Sequence, residues 1–223
     1  MEKVALIVAG GVGNRLKKKT PKQFLTINNT PILMHTIKQF SHLDKIVVVI
    51  PENYLNLWGN LCKEYNFKIE HSVVEGGGNR FFSVMNGLRN INNAELVIIH
   101  DGVRPFVSKK LIDKSMNSVR KNTGVIPTIP VTNSIRKINL KGSKNLTRNT
   151  LHNIQTPQSF RLQDIKEAYD QPFNDSFTDD SSVFEANGGK ITTIPGEEWN
   201  IKITKPIDLD IASLLFEKYN LPK

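Results

Sequence analysis

The stretch VALIVAGGVGNR, residues 4–15, decides the fold class because it joins an apolar run to a glycine-rich turn. An apolar run of this length, followed by three glycines in four positions, is typical of a buried strand that ends in a tight loop. Further strand-like runs occur at 46–50, 68–74, 95–99 and 124–130, with helical patterns between several of them. The alternation predicts an α/β fold: a single Rossmann-like, mostly parallel sheet flanked by helices.

The remaining predicted elements continue this pattern. Apolar spacing predicts helices over 30–40, 79–88, 109–119, 179–186 and 206–219, and extended segments over 190–194 and 200–204. Pro127 interrupts the strand at 124–130. Because proline has no N–H to donate, we expect that strand near a sheet edge or a bulge. Since the strands are parallel, the loops that follow them should share one edge of the sheet.

Length and composition limit the class of protein. The chain has 223 residues, enough for one α/β domain and too few for two, so we expect a single domain over residues 1–223. With 39% hydrophobic and 23% charged residues, the composition suits a folded core and excludes intrinsic disorder. The single cysteine, Cys62, excludes an internal disulfide and a cysteine-based zinc site.

Apolar segments are short throughout, and none approaches the roughly 20 residues that span a bilayer. Residues 4–11 are too short for a signal peptide, so we expect a cytoplasmic protein with no membrane partner. The net charge of +9 leaves a non-catalytic nucleotide- or nucleic-acid-binding module open as an alternative. We expect no nucleic-acid partner, because the lysines are scattered and lack the interleaved aromatic residues that stack on bases.

Residues 131–153 interrupt the strand and helix alternation and form a predicted hairpin arm. Strands are predicted over 133–139 and 145–154, with a turn at 141–144. Both faces of this hairpin are polar, so it buries little within its own subunit. It is either a solvated flap or an arm that packs on a second copy of the chain.

The glycine-rich turn after the first strand is a candidate phosphate site. Its glycines let backbone N–H groups point inward, and Arg15 and Lys22 add two cations, the second directly after Pro21. The turn lacks the Gly-Lys-Ser/Thr of a Walker A loop, and Leu16 stands where a dinucleotide fingerprint needs a small residue. A purely structural turn is the alternative interpretation.

Two further loops follow predicted strands. The segment EGGGNR, residues 75–80, with Ser83 after it, either admits a flat ligand such as a nucleobase or is only a flexible turn. In HDGVRP, residues 100–105, Asp101 lies where α/β enzymes place metal or ribose ligands, and it is the candidate to hold a divalent cation. The alternative for Asp101 is an Asp-Gly turn paired with Arg104. No Ser-His-Asp or Cys-His arrangement supports a covalent mechanism.

Six segments, taken together and in this order, resemble one family. They are AGGVGNR (9–15), PKQFL (21–25), HDGVRP (100–105), QTPQSF (155–160), TDDSS (178–182) and NIKIT (200–204). Over nearly its whole length the chain is similar to the 2-C-methyl-D-erythritol 4-phosphate cytidylyltransferases, which act in non-mevalonate isoprenoid synthesis. Ribitol 5-phosphate cytidylyltransferases share the scaffold and most of the motifs.

The resemblance implies a reaction in which a phosphate oxygen of the acceptor attacks the α-phosphorus of CTP and pyrophosphate leaves, with Mg²⁺ bound to the triphosphate. It implies nucleotide contacts by Ala9, Gly10, Gly11, Gly13, Arg15, Lys22, Gly77, Gly78, Ser83 and Asp101. It implies acceptor contacts by Asp101, Ser134, Arg148, Thr156, Thr178 and Lys202. The catalytic roles fall to Arg15, Lys22, Arg148 and Lys202.

The resemblance also implies that the arm reaches the site of a neighbouring subunit, in a homodimer with shared sites. Asn133-Ser134 stands where the family usually has Asp-Thr, so a hydroxyl is kept and a carboxylate is lost. This change leaves ribitol 5-phosphate open as the acceptor, whereas Arg148 and the run TDDS, residues 178–181, favour methylerythritol phosphate. Gly102-Val103 replaces the more frequent Ala-Ala without an obvious chemical cost.

Overall fold

The structure, a computed structural model, describes residues 2–11 and 20–219, with only the backbone of Tyr219. Its strands are β1 (Lys3–Val8), β2 (Thr26–Ile27), β3 (Thr30–Pro31), β4 (Lys45–Ile50), β5 (Ser72–Glu75), β6 (Leu96–Asp101), β7 (Thr123–Pro130), β8 (Ile135–Asn139), β9 (Gly142–Leu146), β10 (His152–Ile154), β11 (Gln158–Arg161) and β12 (Lys190–Pro195). Its helices are α1 (Ile32–Gln39), α2 (Leu55–Glu64), α3 (Arg80–Arg89), α4 (Lys109–Asn117), α5 (Leu162–Tyr169), α6 (Asp180–Ala186) and α7 (Pro206–Tyr219).

Eight strands form one mixed, mostly parallel sheet. β1 lies between β6 and β4, parallel to both, and β5 extends the parallel part beyond β4. On the other side β11 runs antiparallel to β6 and leads to β7, which in turn pairs parallel with β12. The predicted α/β class, with helices around a mostly parallel sheet, is confirmed.

The core lies on both faces of the sheet. Alternate side chains of β1 enter separate clusters: Ala5 and Ile7 pack with residues of α1, α2 and α4, whereas Val4 and Leu6 pack with residues of α3, α5 and α6. Burial on both faces explains why the run at residues 4–9 is almost continuously apolar. The helices therefore cover the sheet faces and leave its carboxyl edge to the loops.

The hairpin arm is shorter than predicted. Its strands are β8 and β9, joined at Leu140-Lys141, and in the part of the chain that the structure describes they pair only with each other. Residues 152–154, which were predicted to continue the arm, instead form β10 and pair antiparallel with residues 128–130 of β7. The second predicted strand was therefore wrong in its bounds, because a 3-10 turn over 148–150 ends the arm and returns the chain to the sheet.

Pro127 lies in β7, next to the outermost strand β12, which agrees with the expectation of a position near a sheet edge. β7 has β12 on one side, where Ile194 pairs with Pro127, and β10 and β11 on the other. The carbonyl of Pro127 accepts a hydrogen bond from the Gln155 N–H, in the gap between β10 and β11. Since the N and O of one strand residue face the same side, the Pro127 nitrogen also faces this gap, on the side away from β12.

Three other boundaries differ from the sequence-based predictions. The strand expected over 68–74 is confined to β5, and the segment 200–204 forms no strand. In the described ranges, one backbone hydrogen bond joins this segment to a distant part of the chain, from the Ile203 N–H to the Val103 carbonyl at 3.0 Å. A single bond is too few to form a strand ladder. Helices α2 and α5 were not predicted.

Candidate active site

Two adjoining cavities lie at the carboxyl edge of the sheet, where β1 and β6 end. The first encloses about 290 Å³ and the second about 250 Å³. Arg80, Asp101 and Lys202 line both cavities and form the wall between them. The first is also lined by Val8, Ala9, Gly10, Gly11, Lys22, Gln23, Gly78, Asn79 and Val103, and the second by Arg104, Ile154, Gln155, Thr156, Gln158, Thr178 and Asp179.

Asp101 is the electrostatic centre of the dividing wall. Its carboxylate lies 2.9 Å from the Lys202 Nζ, 3.3 Å from the Arg104 Nε and 3.7 Å from the Arg80 Nε. Burial of the carboxyl opposes ionisation, but the charges of Lys202, Arg80 and Arg104 outweigh it and hold the pKa of Asp101 well below its usual range. Three cations around one carboxylate leave a positive excess in the wall, which suits the binding of anions.

His100 fixes the backbone around Asp101 from the buried side. Its Nε2–H donates to the Arg104 carbonyl at 3.0 Å, so its Nδ1, 3.0 Å from the Thr156 hydroxyl, accepts from that group. The hydroxyl oxygen of Thr156 in turn accepts from the Asp101 N–H at 3.1 Å. Burial lowers the pKa of His100 to about 4, so the ring is neutral and keeps this tautomer at physiological pH.

The two glycine-rich loops meet behind the first cavity. The buried Ser83 hydroxyl accepts from the Gly77 N–H at 3.1 Å and donates to the Asn79 carbonyl at 2.8 Å. A Cβ on Gly10 would lie 2.8 Å from this same hydroxyl, and a Cβ on Gly77 would collide with Phe82. Close approach to Phe82 therefore requires glycine at position 77, while Gly10 packs closely against the Ser83 hydroxyl, which is hydrogen-bonded within the second loop.

Lys22 reaches the first cavity from a 3-10 turn that begins directly after Pro21. Its neighbour Gln23 is buried and donates from Nε2 to the Ala9 carbonyl at 2.8 Å, which ties the turn to the end of β1. Lys22 and Lys202 therefore line one cavity from opposite ends of the sequence.

Lys202 depends on the irregular segment 200–204 for its position. Asn200 is fully buried and donates from Nδ2 to the Thr156 carbonyl at 2.8 Å, while its own carbonyl accepts from the Arg104 guanidinium at 2.7 Å. These hydrogen bonds, together with one that Gln155 Nε2 donates to the Asn200 carbonyl at 3.3 Å, hold the segment where a strand ladder is missing. The Lys202 side chain keeps 37% of its surface exposed, so its ammonium group is accessible from the cavities.

The second cavity takes its outer wall from the start of α6. Asp179 caps this helix by accepting from the Ser182 N–H at 3.0 Å, and its other oxygen accepts from Gln158 Nε2 at 2.7 Å. Thr178 precedes the cap and is exposed, with its N–H donating to the Ser182 hydroxyl at 3.0 Å. The Thr178 side chain is therefore presented at the cavity mouth by a fixed helix start.

The structure brings most of the predicted site residues to these cavities. Ala9, Gly10, Gly11, Lys22 and Gly78 line the first, Thr156 and Thr178 line the second, and Asp101 and Lys202 line both. Gly77 and Ser83 support the first cavity from behind and are not part of its lining. Gly13 and Arg15 lie outside the described residues, so their predicted roles stay predictions.

Ser134 and Arg148 line neither cavity. Both are exposed at the base of the arm, where Arg148 donates to the Thr132 carbonyl at 2.6 Å. A cavity of about 620 Å³, larger than either of the two, lies at the opposite end of the strands and contains none of the predicted site residues. Charge and motifs therefore mark the site here better than cavity size does.

Two arginines that contact Asp101 were not predicted as site residues. Arg104 closes the Asp101 loop, and Arg80 forms a bidentate pair with Asp180, at 2.8 and 2.6 Å. Asp180 is fully buried, and breaking a buried pair of this kind costs about 3–5 kcal/mol. Their positions in the sequence could have identified them as site residues, because Arg80 directly follows the second glycine loop and Arg104 belongs to the HDGVRP segment.

Known proteins resemble this chain over nearly its whole length. A family model described as 2-C-methyl-D-erythritol 4-phosphate cytidylyltransferase matches residues 3–218. A protein of that name from Azobacteroides pseudotrichonymphae is 46% identical over 222 residues, which cover 97% of this chain and 99% of the relative. Another, from Porphyromonas gingivalis, is 44% identical over 216 residues, covering 96% and 97%.

A solved structure shows the same fold. The crystal structure of 4-diphosphocytidyl-2C-methyl-D-erythritol synthase from Anaerococcus prevotii superimposes with a TM-score of 0.82 at 29% identity. The match covers 97% of this chain and 96% of that one.

Proposed function

The chain belongs to the 2-C-methyl-D-erythritol 4-phosphate cytidylyltransferase family, and on that premise we propose that it transfers a cytidylyl group from CTP to 2-C-methyl-D-erythritol 4-phosphate. The products are 4-diphosphocytidyl-2-C-methyl-D-erythritol and pyrophosphate. The observation that carries this proposal is the pair of cavities with one cationic wall. Two anionic substrates that react with each other need two adjoining pockets and a shared positive charge.

In the reaction, a phosphate oxygen of the acceptor forms a bond to the α-phosphorus as the bond to the pyrophosphate oxygen breaks. The attacking oxygen is already an anion, so the protein needs neither a nucleophile nor a general base. Its tasks are to position the two substrates and to neutralise their charge. We assign the nucleotide to the first cavity, with its glycine loops, and the acceptor to the second.

The cations have distinct places in this scheme. Lys22, with Arg15, would stabilise the charge that grows on the α-phosphate and on the leaving pyrophosphate. Lys202, in the wall between the cavities, would hold the acceptor phosphate in line with the α-phosphorus. Asp101 keeps Lys202 in place at 2.9 Å and contributes a negative charge that limits the excess of positive charge when the site holds no substrate.

Mg²⁺ fits this site as a companion of the nucleotide. Among residues 2–11 and 20–219, no group of three or more His, Cys, Asp or Glu side chains could hold a metal ion. Asp101 offers one hard carboxylate, already contacted by Lys202. We therefore propose that triphosphate oxygens supply most of the metal's ligands, with Asp101 as the candidate protein ligand, and that the ion neutralises phosphate charge when bound.

We further propose a homodimer in which the arm of one subunit completes the acceptor site of the other. Three observations support it. Arg148 and Ser134 lie away from the two cavities of their own subunit, and the arm pairs with no other strand of the described residues. Ile138 and Leu140 expose 78% and 107% of their surface. Large exposed apolar side chains on an isolated hairpin favour burial against a partner.

We also propose that the protein acts in the cytoplasm. Within the described ranges, the helices lack the combination of length and apolar character needed to cross a membrane.

The deciding experiment is a paired-acceptor assay. The protein is incubated with CTP, Mg²⁺ and either 2-C-methyl-D-erythritol 4-phosphate or ribitol 5-phosphate, and pyrophosphate release is followed. We expect turnover with the methylerythritol phosphate and at most a trace with ribitol 5-phosphate. Faster turnover of ribitol 5-phosphate would overturn the proposed acceptor, and no turnover with either, together with salt-sensitive binding of nucleic acid, would favour a non-catalytic binding module.

A further inference from the structure

Arg80 is the one residue of the dividing wall that also pairs with a carboxylate outside both cavities. It is the first residue of α3, directly after the loop that carries Gly78 and Asn79 into the first cavity. Its partner Asp180 is the first residue of α6, directly after Thr178 and Asp179 of the second cavity. The pair therefore joins two loops that are 100 residues apart in sequence.

We propose that Arg80, held by Asp180, is a positioning residue that sets the nucleotide loop and the acceptor loop in a fixed relation across the reaction centre. This inference rests on the proposed function, because it assigns a nucleotide to one cavity and an acceptor to the other. It predicts that a change at Asp180, which lines neither cavity, weakens the productive binding of both substrates.

The geometry of the pair supports a rigid link. The guanidinium donates two hydrogen bonds to the two oxygens of Asp180, at 2.8 and 2.6 Å, which fixes the plane of the group as well as its distance. The Tyr169 hydroxyl donates to the same carboxylate at 2.6 Å from α5. Asp180 is thus held from two sides and has no exposed surface.

The remaining face of Arg80 is turned to the reaction centre. Its Nε lies 3.7 Å from the Asp101 carboxylate, and its side chain keeps 29% of its surface exposed while lining both cavities. If Asp180 loses its charge, Asp101 becomes the carboxylate that attracts Arg80, in competition with Lys202. Loss of the Asp180 charge would then weaken the contact between Asp101 and Lys202, the lysine that positions the acceptor.

The pKa shifts of Arg80 and Tyr169 are consistent with a rigid link at Asp180. Burial opposes the charge of the guanidinium, but Asp180 and Asp101 outweigh it and raise the pKa of Arg80 well above its ordinary value. Burial and the negative charge of Asp180 likewise raise the pKa of Tyr169 well above its ordinary value, so its hydroxyl keeps the proton that it donates. Arg80 therefore keeps its positive charge, and Tyr169 keeps the proton that it donates.

The test uses steady-state kinetics of the full-length protein with both substrates varied, for wild type, Asp180→Asn, Arg80→Lys and Arg89→Lys. Asp180→Asn is nearly isosteric and removes only the charge, while Arg80→Lys keeps a charge but loses the bidentate geometry. Arg89, the exposed last residue of α3, lines neither cavity and is the matched control. Thermal unfolding of each variant is recorded alongside.

We expect Asp180→Asn and Arg80→Lys to raise the KM of both CTP and the acceptor several-fold and to lower kcat about tenfold, whereas Arg89→Lys behaves like wild type. The double variant should be no worse than the poorer single variant, because both changes break one link. A lowered melting temperature with wild-type KM values and kcat would overturn the inference, since that is the result of a merely structural pair.

A milder variant keeps the test decisive if the substitutions prevent folding. Tyr169→Phe removes the hydroxyl that steadies Asp180 and touches neither cavity. A smaller rise in both KM values supports the inference, and unchanged kinetics overturn it. The outcome is separable from the proposed function: an inactive wild type refutes the proposed reaction, whereas an active wild type with unaffected variants refutes only the role of Arg80.

Discussion

Asp101 and Arg148 belong to the same predicted site, but their surroundings differ. Asp101 is buried at the end of a central strand and contacts three cations of its own chain. Arg148 is exposed in a 3-10 turn after the arm and contacts only a backbone carbonyl, that of Thr132, among the described hydrogen bonds. The surroundings of Asp101 are therefore assembled by folding of the single chain, whereas Arg148 lies on the exposed arm and would complete an acceptor site only in the homodimer that we propose.

The largest effect is expected from the wall itself. Lys202→Met should lower kcat/KM for the acceptor about 10²–10³-fold, because it removes a charge that is fixed where phosphate charge must be neutralised. Folding should change little, since Asp101 keeps Arg104 and Arg80 as partners. The measurement is pyrophosphate release, with exposed Lys205→Met as the matched control. An equal loss of kcat/KM in both variants would show that the effect comes from the overall charge of the protein.

The arm is tested by Arg148→Ala, which should lower kcat/KM at least about tenfold and leave the melting temperature unchanged, because Arg148 is exposed. Arg136→Ala, on strand β8 of the same hairpin, is the control.

Mixing the Arg148→Ala and Lys202→Met variants then tests whether an arm serves its own subunit or the partner subunit. If the arm serves a partner's site, half the dimers carry one intact site, and about a quarter of wild-type activity returns. A mixture that stays inactive would show that each site uses its own arm.

The stability of the protein should depend on pH through His100, which is buried next to Asp101. The folded state holds the pKa of His100 at about 4, below its ordinary value, so the unfolded chain binds more protons as pH falls. The free energy of unfolding should therefore decrease between about pH 6.5 and pH 4, by about 3 kcal/mol from His100 alone. The pKa of buried His35 is also lowered and adds to the decrease.

Denaturant unfolding at pH 7 and pH 4.5 measures this decrease, and comparison of wild type with His100→Gln isolates the contribution of His100. The variant should be less stable at pH 7 and less sensitive to pH. An unchanged pH dependence in the variant would show that other groups account for the wild-type decrease.

The smallest effect is expected behind the first cavity. Ser83→Ala removes the hydroxyl that joins Gly77 and Asn79, so the KM of CTP should rise about three- to tenfold and stability should fall by about 1–2 kcal/mol. Acceptor KM should stay near wild type, because Ser83 supports only the nucleotide loops. Ser118→Ala, at an exposed helix end, is the control. A selective rise in the acceptor KM would contradict the assignment of the two cavities.

The sequence predicted most residues of the candidate site but few of the contacts that hold them together. Lys22 and Lys202 were identified from motifs, and both line one cavity. Arg80 was missed as a site residue, because its importance comes from Asp180, 100 residues away, and no local pattern records that pairing. Pro127 was correctly expected near a sheet edge, but the break between β10 and β11 opposite it was not predicted, because no local pattern records which strands pair there.

Local periodicity and the order of the motifs determined the α/β class and the family, because strand burial, glycine turns and charged loop residues leave marks within a few neighbouring positions. Tertiary structure decided which cations share the Asp101 carboxylate, where the arm ends, and that Ser83 supports a loop instead of lining the cavity. These outcomes depend on distances between segments that are far apart in the chain. Such distances follow from the packing of the whole molecule, and no short stretch of residues fixes them.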